Sequence, residues 1–165
     1  MMTRLAKMLL LAAILLDDAL VVFNNLTDFN SNYEFIRHVL AMDSIFPGNH
    51  AMWRALPSPA MHLVFYWMII AWEFATGVLA LWGLANLGRA FRAPAVEFNA
   101  AKRVAIAALT LSLLMWLVAF LDVGGEWFLM WQSRTWNGQE EAFRMFMIVG
   151  FVMLVLLLPD TETQA

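Results

Sequence analysis

One stretch of sequence, AMHLVFYWMIIAWEFATGVLALWGLANL at residues 60–87, decides the fold class of this chain. Glu73 is the only Asp, Glu, Lys or Arg in it, and the stretch is longer than the roughly 20 helical residues that cross a hydrocarbon core about 30 Å thick. Backbone polar groups in lipid must be satisfied internally, and the stretch lacks the period-2 alternation of a barrel strand. It therefore predicts a membrane-spanning helix.

Three further apolar stretches have the same character, at about residues 5–26, 104–124 and 140–158. Together the four predict an all-α, four-helix transmembrane bundle, with residues 1–165 as a single integral membrane domain. The composition agrees, because 62% of the 165 residues are hydrophobic and 14% are charged, against about 45–50% and about 25% in soluble domains. The net charge of −3 offers no basic surface for nucleic acid, and the absence of cysteine excludes disulfides and thiolate sites.

The lysines and arginines predict how the bundle is oriented. Those at the N-terminus and in the second connection are Arg4, Lys7, Arg89, Arg92, Lys102 and Arg103. The remaining arginines are spread over longer segments on the other side, so the positive-inside rule predicts that both termini are cytoplasmic. No small-residue cleavage site follows the first apolar run, because Asp17 and Asp18 come next, so we expect a span rather than a cleaved signal peptide.

The segments outside the spans on the other side, about residues 27–59 and 125–139, predict a periplasmic cap. A capping-box pattern at residues 31–34 and apolar residues at helical spacing after it predict a short amphipathic helix in the first periplasmic loop, lying on the membrane surface. The candidate residues for recognition by this cap are Asn25, Asp28, His38, Asp43, Glu126, Trp131, Gln132 and Trp136. The alternative is a plug that satisfies its own backbone groups.

Three carboxylates are predicted to lie near the middle of the membrane: Asp17, Asp18 and Glu73. Charged side chains inside a span cost about 2.5–3.5 kcal/mol each on insertion scales, so each needs a physical reason. One hypothesis is a proton or cation site between the first two spans. The alternatives are a hydrogen-bonded seam that fixes helix packing, or acids that pair with an arginine of a partner subunit.

Two further charged residues are predicted to form a structural ion pair, because Asp122 and Arg144 fall at similar depths on the third and fourth spans. Glu140, four residues before Arg144, offers a competing pair on one helix. The histidines give no metal or haem pattern. Only His62 belongs to a span, and His38, His50 and Asp43 lack a recognised zinc-ligand spacing. We expect no metal and no cofactor.

Short motifs in the two outside segments resemble a known family. They are NNLTD (24–28), SN (31–32), RHVLAMD (37–43), FPGN (46–49), MWR (52–54), GGEWF (124–128), MWQS (130–133), WNGQ (136–139) and AFR (142–144). With them the chain resembles the bacterial family of predicted small integral membrane proteins over nearly its whole length. The resemblance implies a four-span, multi-pass protein of the bacterial inner membrane. It implies no activity, so no functional residue is carried over.

Three hypotheses of function follow. The first is a non-enzymatic accessory or interaction subunit in the lipid bilayer, bound to another membrane protein or to itself, because no catalytic constellation is visible. The second is a small transporter or proton or cation pathway through Asp17, Asp18 and Glu73. The third is a membrane enzyme or a quinone or haem protein with its site under the cap.

Overall fold

The structure is a computed structural model that describes residues 1–161, and among these residues it is all-α, without a strand. Pro59 begins the longest helix at its first position, where the missing N–H costs no intrahelical hydrogen bond. The α-helices are α1 (Met2–Thr27), α2 (Phe29–Ala41), α3 (Pro59–Arg89), α4 (Ala95–Ala101), α5 (Arg103–Leu114) and α6 (Gln139–Leu157). A π-helix at Met115–Trp127 continues α5, and single 3-10 turns lie at Met52–Arg54 and Met130–Gln132.

The long helices pack in a closed ring. α1 contacts α3, α3 contacts α5, α6 contacts both α5 and the π-helix, and α1 contacts α6. Fully buried Leu11, Leu109 and Val149 belong to one apolar core that these helices share. α3 and α5 approach so closely that a Cβ on Gly83 would lie 2.7 Å from backbone atoms of Ala105. Small residues at such contacts are typical of membrane helix pairs.

Two segments are long and apolar enough to cross a membrane, Pro59–Arg89 and Ala95–Trp127. Only 28% of the most apolar part of each is buried inside the protein, whereas the core helix of a soluble domain would be mostly buried. α1 and α6 are shorter, with 26 and 19 residues, and their charged residues include Lys7, Asp17 and Asp18 in α1 and three residues in the first turns of α6.

The π-helix was not expected from the sequence. Phe128 N–H donates to Val123 O at 3.0 Å, five residues back, as the wider π register requires. Gly124 and Gly125 are buried in this segment, and a Cβ on Gly125 would lie 2.6 Å from Nε2 of Gln139. The two glycines therefore let the start of α6 pack against the π-helix.

The amphipathic helix forms as α2, but its apolar side does not lie on lipid. Ile36 and Leu40 pack in a second core with Tyr66 of α3 and with Phe128 and Met130. α3 extends far enough beyond the end of α1 to supply this packing surface, which the sequence pattern alone did not reveal. Together, residues 28–58 and 128–138 form the cap, and we refer to this end of the bundle as the cap end.

The other end of the bundle is held by one carboxylate, Asp160. Its Oδ2 accepts hydrogen bonds of 2.6 Å from Nζ of Lys7 and of Lys102. Asn99 bonds the Asp160 backbone twice, Nδ2 donating to O at 2.9 Å and Oδ1 accepting from N at 3.0 Å. Arg4 donates to two carbonyl oxygens of the loop after α3, at 2.9 and 2.7 Å. These contacts join the start of α1, the α4–α5 junction and the chain after α6, and we refer to this end as the basic end.

Candidate functional site

A cavity of about 400 Å³, lined by apolar and polar side chains, lies between α1, α2, α3, the π-helix and the start of α6, and we call it the vestibule. Glu73 and Glu141 contribute carboxylates, and Asn25, Asn32 and Asn137 contribute amides. Among the described residues that line the vestibule, none is Lys, Arg or His. Acceptor groups without a basic partner favour a cation, a proton or a hydrogen-bond donor in this space.

The innermost polar group of the vestibule is the carboxylate of Glu73, which is 3% exposed. Nδ2 of Asn25 donates to Oε2 of Glu73 at 2.6 Å. The hydroxyl of Tyr66 donates to the backbone O of Asn25 at 3.1 Å and to its Oδ1 at 3.3 Å. This network fixes the amide, so that its NH₂ group faces the carboxylate.

Glu73 lies in the middle of α3, and Asn25 joins its side chain to the last turn of α1. It shares the vestibule with Thr135, Gly138 and Glu141, residues of the cap and of the first turn of α6. The 31 residues of α3 extend about 46 Å at about 1.5 Å per residue, which is longer than a hydrocarbon core about 30 Å thick. The vestibule therefore connects Glu73 to the cap, and the depth of Glu73 in the membrane stays a prediction.

The two aspartates of α1 do not line the vestibule. Asp18 is buried against α3, where a Cβ on Gly77 would lie 3.6 Å from its own Cβ. Its Oδ2 has no hydrogen-bond partner among residues 1–161. Asp17 is half-buried and is attracted by the positive charge of Arg144 on α6. The structure therefore brings Glu73 together with Asn25, and places the aspartates farther along α1 toward the basic end.

The eight predicted recognition residues do not form one surface. Asn25 belongs to the vestibule, whereas Asp28 and Glu126 are exposed. Oε1 of Gln132 accepts from Phe46 N at 3.2 Å and from Nδ2 of Asn49 at 3.0 Å. These bonds tie the two cap segments to each other, as a self-satisfying plug requires.

The other predicted cap residues pack around His38. Its ring stacks on Trp136 with centroids 4.5 Å apart, and its Nδ1 lies 2.7 Å from Oδ1 of Asp43. Nη2 of Arg37 donates to the second ring nitrogen at 2.7 Å and also bonds Glu34 at 2.6 Å. The hydrogen bond that Arg37 donates to the carboxylate of Glu34 raises the pKa of Arg37 above its ordinary value. Trp131 packs elsewhere, edge-on to Phe46 at 5.9 Å.

The predicted ion pair between Asp122 and Arg144 does not form within the described part of the chain, where both side chains are exposed and no ion pair joins them. Similar depth does not bring two side chains together, because each must also point toward the other, and the register of the π-helix that carries Asp122 differs from that of a regular α-helix. The competing pair of Arg144 with Glu140 is also not formed among residues 1–161.

Sequence reasoning missed two sets of residues. It placed Glu73 with Asp17 and Asp18 between the first two spans and Asn25 in the cap, but it gave no means of bringing Asn25 to Glu73. It also treated Lys7 and Lys102 as signals of topology only. Burial raises the pKa of Asp160, but hydrogen bonds from Lys102 and Lys7 outweigh burial and hold it below its ordinary value.

No group of three or more His, Asp or Glu side chains is placed to hold a metal ion within residues 1–161. His62 is buried, with Nε2 2.6 Å from the carbonyl oxygen of Leu56. Its role in the described structure is to hold the cap to the start of α3.

Comparison with known proteins places the chain in a family. A family model described as "Predicted small integral membrane protein (DUF2165)" matches residues 3–159. No curated protein and no solved structure matches the chain significantly. The matched range covers both spans that length and composition identify, the vestibule and the whole cap. The chain therefore belongs to this family of predicted small integral membrane proteins.

Proposed function

We propose that the protein is a non-enzymatic membrane subunit that takes up a proton or a small cation at Glu73 from the cap end. The observation that carries this proposal is the lining of the vestibule, with two carboxylates and three amides and, among the described lining residues, no basic side chain. A buried carboxylate without a cationic partner is costly, and a bound cation or proton removes that cost.

The proposed uptake is one-sided. Beyond Glu73, toward the basic end, the bundle is closed by side chains that are fully buried and apolar, among them Leu11, Ala80 and Leu109. Ala80 is only two turns beyond Glu73 on α3. This arrangement favours binding from the cap end over passage through the bundle.

Binding at Glu73 can be measured with the purified protein in lipid nanodiscs. Isothermal titration with Na⁺, K⁺ and Mg²⁺, together with proton release measured in weakly buffered solution, should show uptake in the wild type and its loss in Glu73→Gln. Glu97→Gln is the matched control, because Glu97 is exposed on α4 near the basic end. If the wild type and E73Q take up and release the same amounts of cation and proton, the proposal is wrong.

A small transporter or proton pathway is the second candidate, and one observation favours it. The partnerless Oδ2 of buried Asp18 provides a next carboxyl oxygen after Glu73 in the direction of the basic end. Passage would then require the apolar core to open. Proton or cation flux into proteoliposomes that Asp18→Asn and Glu73→Gln both abolish would support a pathway, and flux unchanged by either would remove these acids from it.

We further propose that α1 and α6 also cross the membrane, which makes four spans. Leu16, Leu20 and Phe23 of α1 each expose more than half of their surface, as do Phe151 and Leu154 of α6. Such exposure would be costly in water at about 25 cal/mol per Å², and costs nothing in lipid. The basic residues near one end support cytoplasmic termini, in the inner membrane of a bacterium.

The proposed partner is another membrane protein or a second copy of this chain. Asp122 and Glu126 are exposed near the cap end and form no ion pair among residues 1–161, so their charges can meet those of a partner. Cross-linking in native membranes should capture a complex that is weakened by Glu126→Lys. A monomer without partners in every membrane extract would contradict the accessory role.

A further inference from the structure

A second cavity adjoins the vestibule and is almost entirely apolar. It has a volume of about 220 Å³ and lies between α2, α3 and the π-helix, and we call it the side groove. Its walls include Val39 of α2, Phe65 and Trp72 of α3, and Val118 and Val123 of the π-helix. Among the side chains of these walls, only the indole N–H of Trp72 can donate a hydrogen bond, and it already donates to the backbone O of Leu111 at 3.0 Å.

The side groove opens at the surface formed by the two apolar spans. Met68 of α3 is 58% exposed, and Val118 and Val123 of the π-helix are 41% and 38% exposed, although all three line the groove. Since α3 and the π-helix belong to the segments that are apolar enough to cross a membrane, hydrocarbon rather than water is the expected surrounding of the mouth. An apolar chain could therefore enter it from the lipid.

The two cavities share a wall. Phe35, Ile36, Ile69 and Phe120 line both the vestibule and the side groove, so only these side chains separate the polar space from the apolar one. A ligand that lies across this wall would have one polar and one apolar part. The pair of cavities thus has the shape that an amphiphile requires.

The residues that line the vestibule also indicate which charge the polar part of such a ligand carries. Four aromatic side chains line it together with the carboxylates of Glu73 and Glu141, and they are Phe35, Tyr66, Trp116 and Phe120. Aromatic faces attract cations, and aromatic rings with nearby carboxylates are the usual surroundings of an ammonium head group in proteins. An anionic head group would meet two carboxylates and, among the described lining residues, no cation.

We propose that the vestibule and the side groove together bind a lipophilic organic cation, with its ammonium head beside Glu73 and its alkyl chain in the side groove. This inference rests on the proposed uptake of cations at Glu73 and names the class of cation. The head enters a space that carries negative and aromatic groups, and the chain stays in contact with apolar surface from the lipid to the groove.

The test uses the full chain in nanodiscs and alkyltrimethylammonium ions with chains of increasing length, starting from tetramethylammonium. Binding is measured by isothermal titration, and the signal of empty nanodiscs is subtracted. Each methylene that is buried in the groove should tighten binding roughly fourfold. Alkyl sulfonates of the same lengths are the matched anions and should bind at least tenfold more weakly.

Two variants distinguish the contribution of the ammonium head to binding from that of the alkyl chain. Glu73→Gln should weaken every member of the ammonium series, including tetramethylammonium. Val118→Trp fills the mouth of the groove and should remove the dependence on chain length while it leaves tetramethylammonium binding unchanged, which also shows that this variant is folded. A control at an apolar site outside both cavities, Leu154→Trp on exposed α6 surface, should behave like the wild type.

Three other results would each contradict a different part of the proposed binding mode. If tetramethylammonium binds in a Glu73-dependent manner but chain length has the same effect in V118W as in the wild type, the side groove is not the chain site and cation uptake still stands. If sulfonates bind as tightly as ammonium ions, the groove is an acyl-chain site without charge selection. If only Na⁺, K⁺, Mg²⁺ or protons are taken up, the proposed function stands and the amphiphile does not.

Discussion

The side-chain amide of Asn25 donates a hydrogen bond of 2.6 Å to the carboxylate of Glu73, and it joins the last turn of α1 to the middle of α3. Both side chains are buried, and the hydroxyl of Tyr66 fixes the amide from the other side. The carboxylate is thus held by a neutral donor from a neighbouring helix. It keeps lone pairs for a ligand in the vestibule, because a single amide N–H satisfies only part of a carboxylate.

Replacement of Asn25 by alanine should destabilise the protein by about 1–3 kcal/mol, since it leaves the buried carboxylate of Glu73 without its donor. Unfolding in detergent, followed by circular dichroism, measures the effect as a lower Tm. Asn24→Ala is the matched control because Asn24 is exposed, and its Tm should stay near that of the wild type. Equal Tm values for N25A and N24A would show that the bond does not hold α1 to α3.

A methyl group on Gly83 should force α3 and α5 apart. A Cβ at this position would lie 2.7 Å from the backbone of Ala105, which cannot move as a flexible side chain would. We expect Gly83→Ala to cost about 1–3 kcal/mol by overpacking. In Gly88→Ala the nearest atom is the end of the Met8 side chain at 3.7 Å, so the gain of about 1 kcal/mol in helix propensity should prevail. The two variants should therefore shift the Tm in opposite directions, and a stabilised G83A would contradict the close contact.

The sequence was sufficient to predict the helical class and the approximate ends of the long helices, because span length and charge are local properties. The depth of Glu73 in the membrane stays a prediction. The prediction that α2 lies on the membrane surface was wrong, because the sequence did not reveal that α3 extends past α1 and offers α2 an apolar surface.

The π-helix had no recognised signature in the sequence, because helical spacing assumes hydrogen bonds from residue i to i−4 and a shift to i→i−5 is not visible from it. The prediction for Asp122 and Arg144 compared only their depths and did not consider the direction in which each side chain points. Tyr66 and Glu73 are about two turns apart, so both lie on one side of α3, and both line the vestibule.

Removal of the Asp160 carboxylate at the basic end should lower the free energy of unfolding more than removal of an exposed acid does. Asp160 accepts hydrogen bonds from Lys7 and Lys102, whose side chains are almost fully buried, so Asp160→Asn removes the one carboxylate that pairs with both cations within residues 1–161. Loss of one partner of a buried pair costs about 3–5 kcal/mol. Glu97→Gln, at an exposed position of α4, should change the Tm by less than a few degrees.

The contribution of Asp160 should also depend on pH. Because Lys102 and Lys7 outweigh burial and hold the pKa of Asp160 below its ordinary value of 3.8, the folded state is stabilised at pH values above 3.8. That stabilisation is lost as the pH falls through the lowered pKa of the folded protein. The difference in Tm between wild type and D160N should therefore be constant near neutral pH and shrink below about pH 4. A difference that grows with acidity would have the wrong sign for this pairing.

Single cysteines can test the proposed orientation, because the chain has no cysteine of its own. Asn137 is exposed in the cap and Arg92 is exposed at the basic end, so each variant, Asn137→Cys and Arg92→Cys, presents one reactive thiol. If the cap is periplasmic, a membrane-impermeant maleimide added to spheroplasts should label N137C fully and R92C only after lysis. Thr3→Cys, on exposed α1 next to the basic end, should follow R92C. Labelling of N137C and R92C on the same side would mean that the segments between them do not cross the bilayer an odd number of times, and the orientation would have to be abandoned.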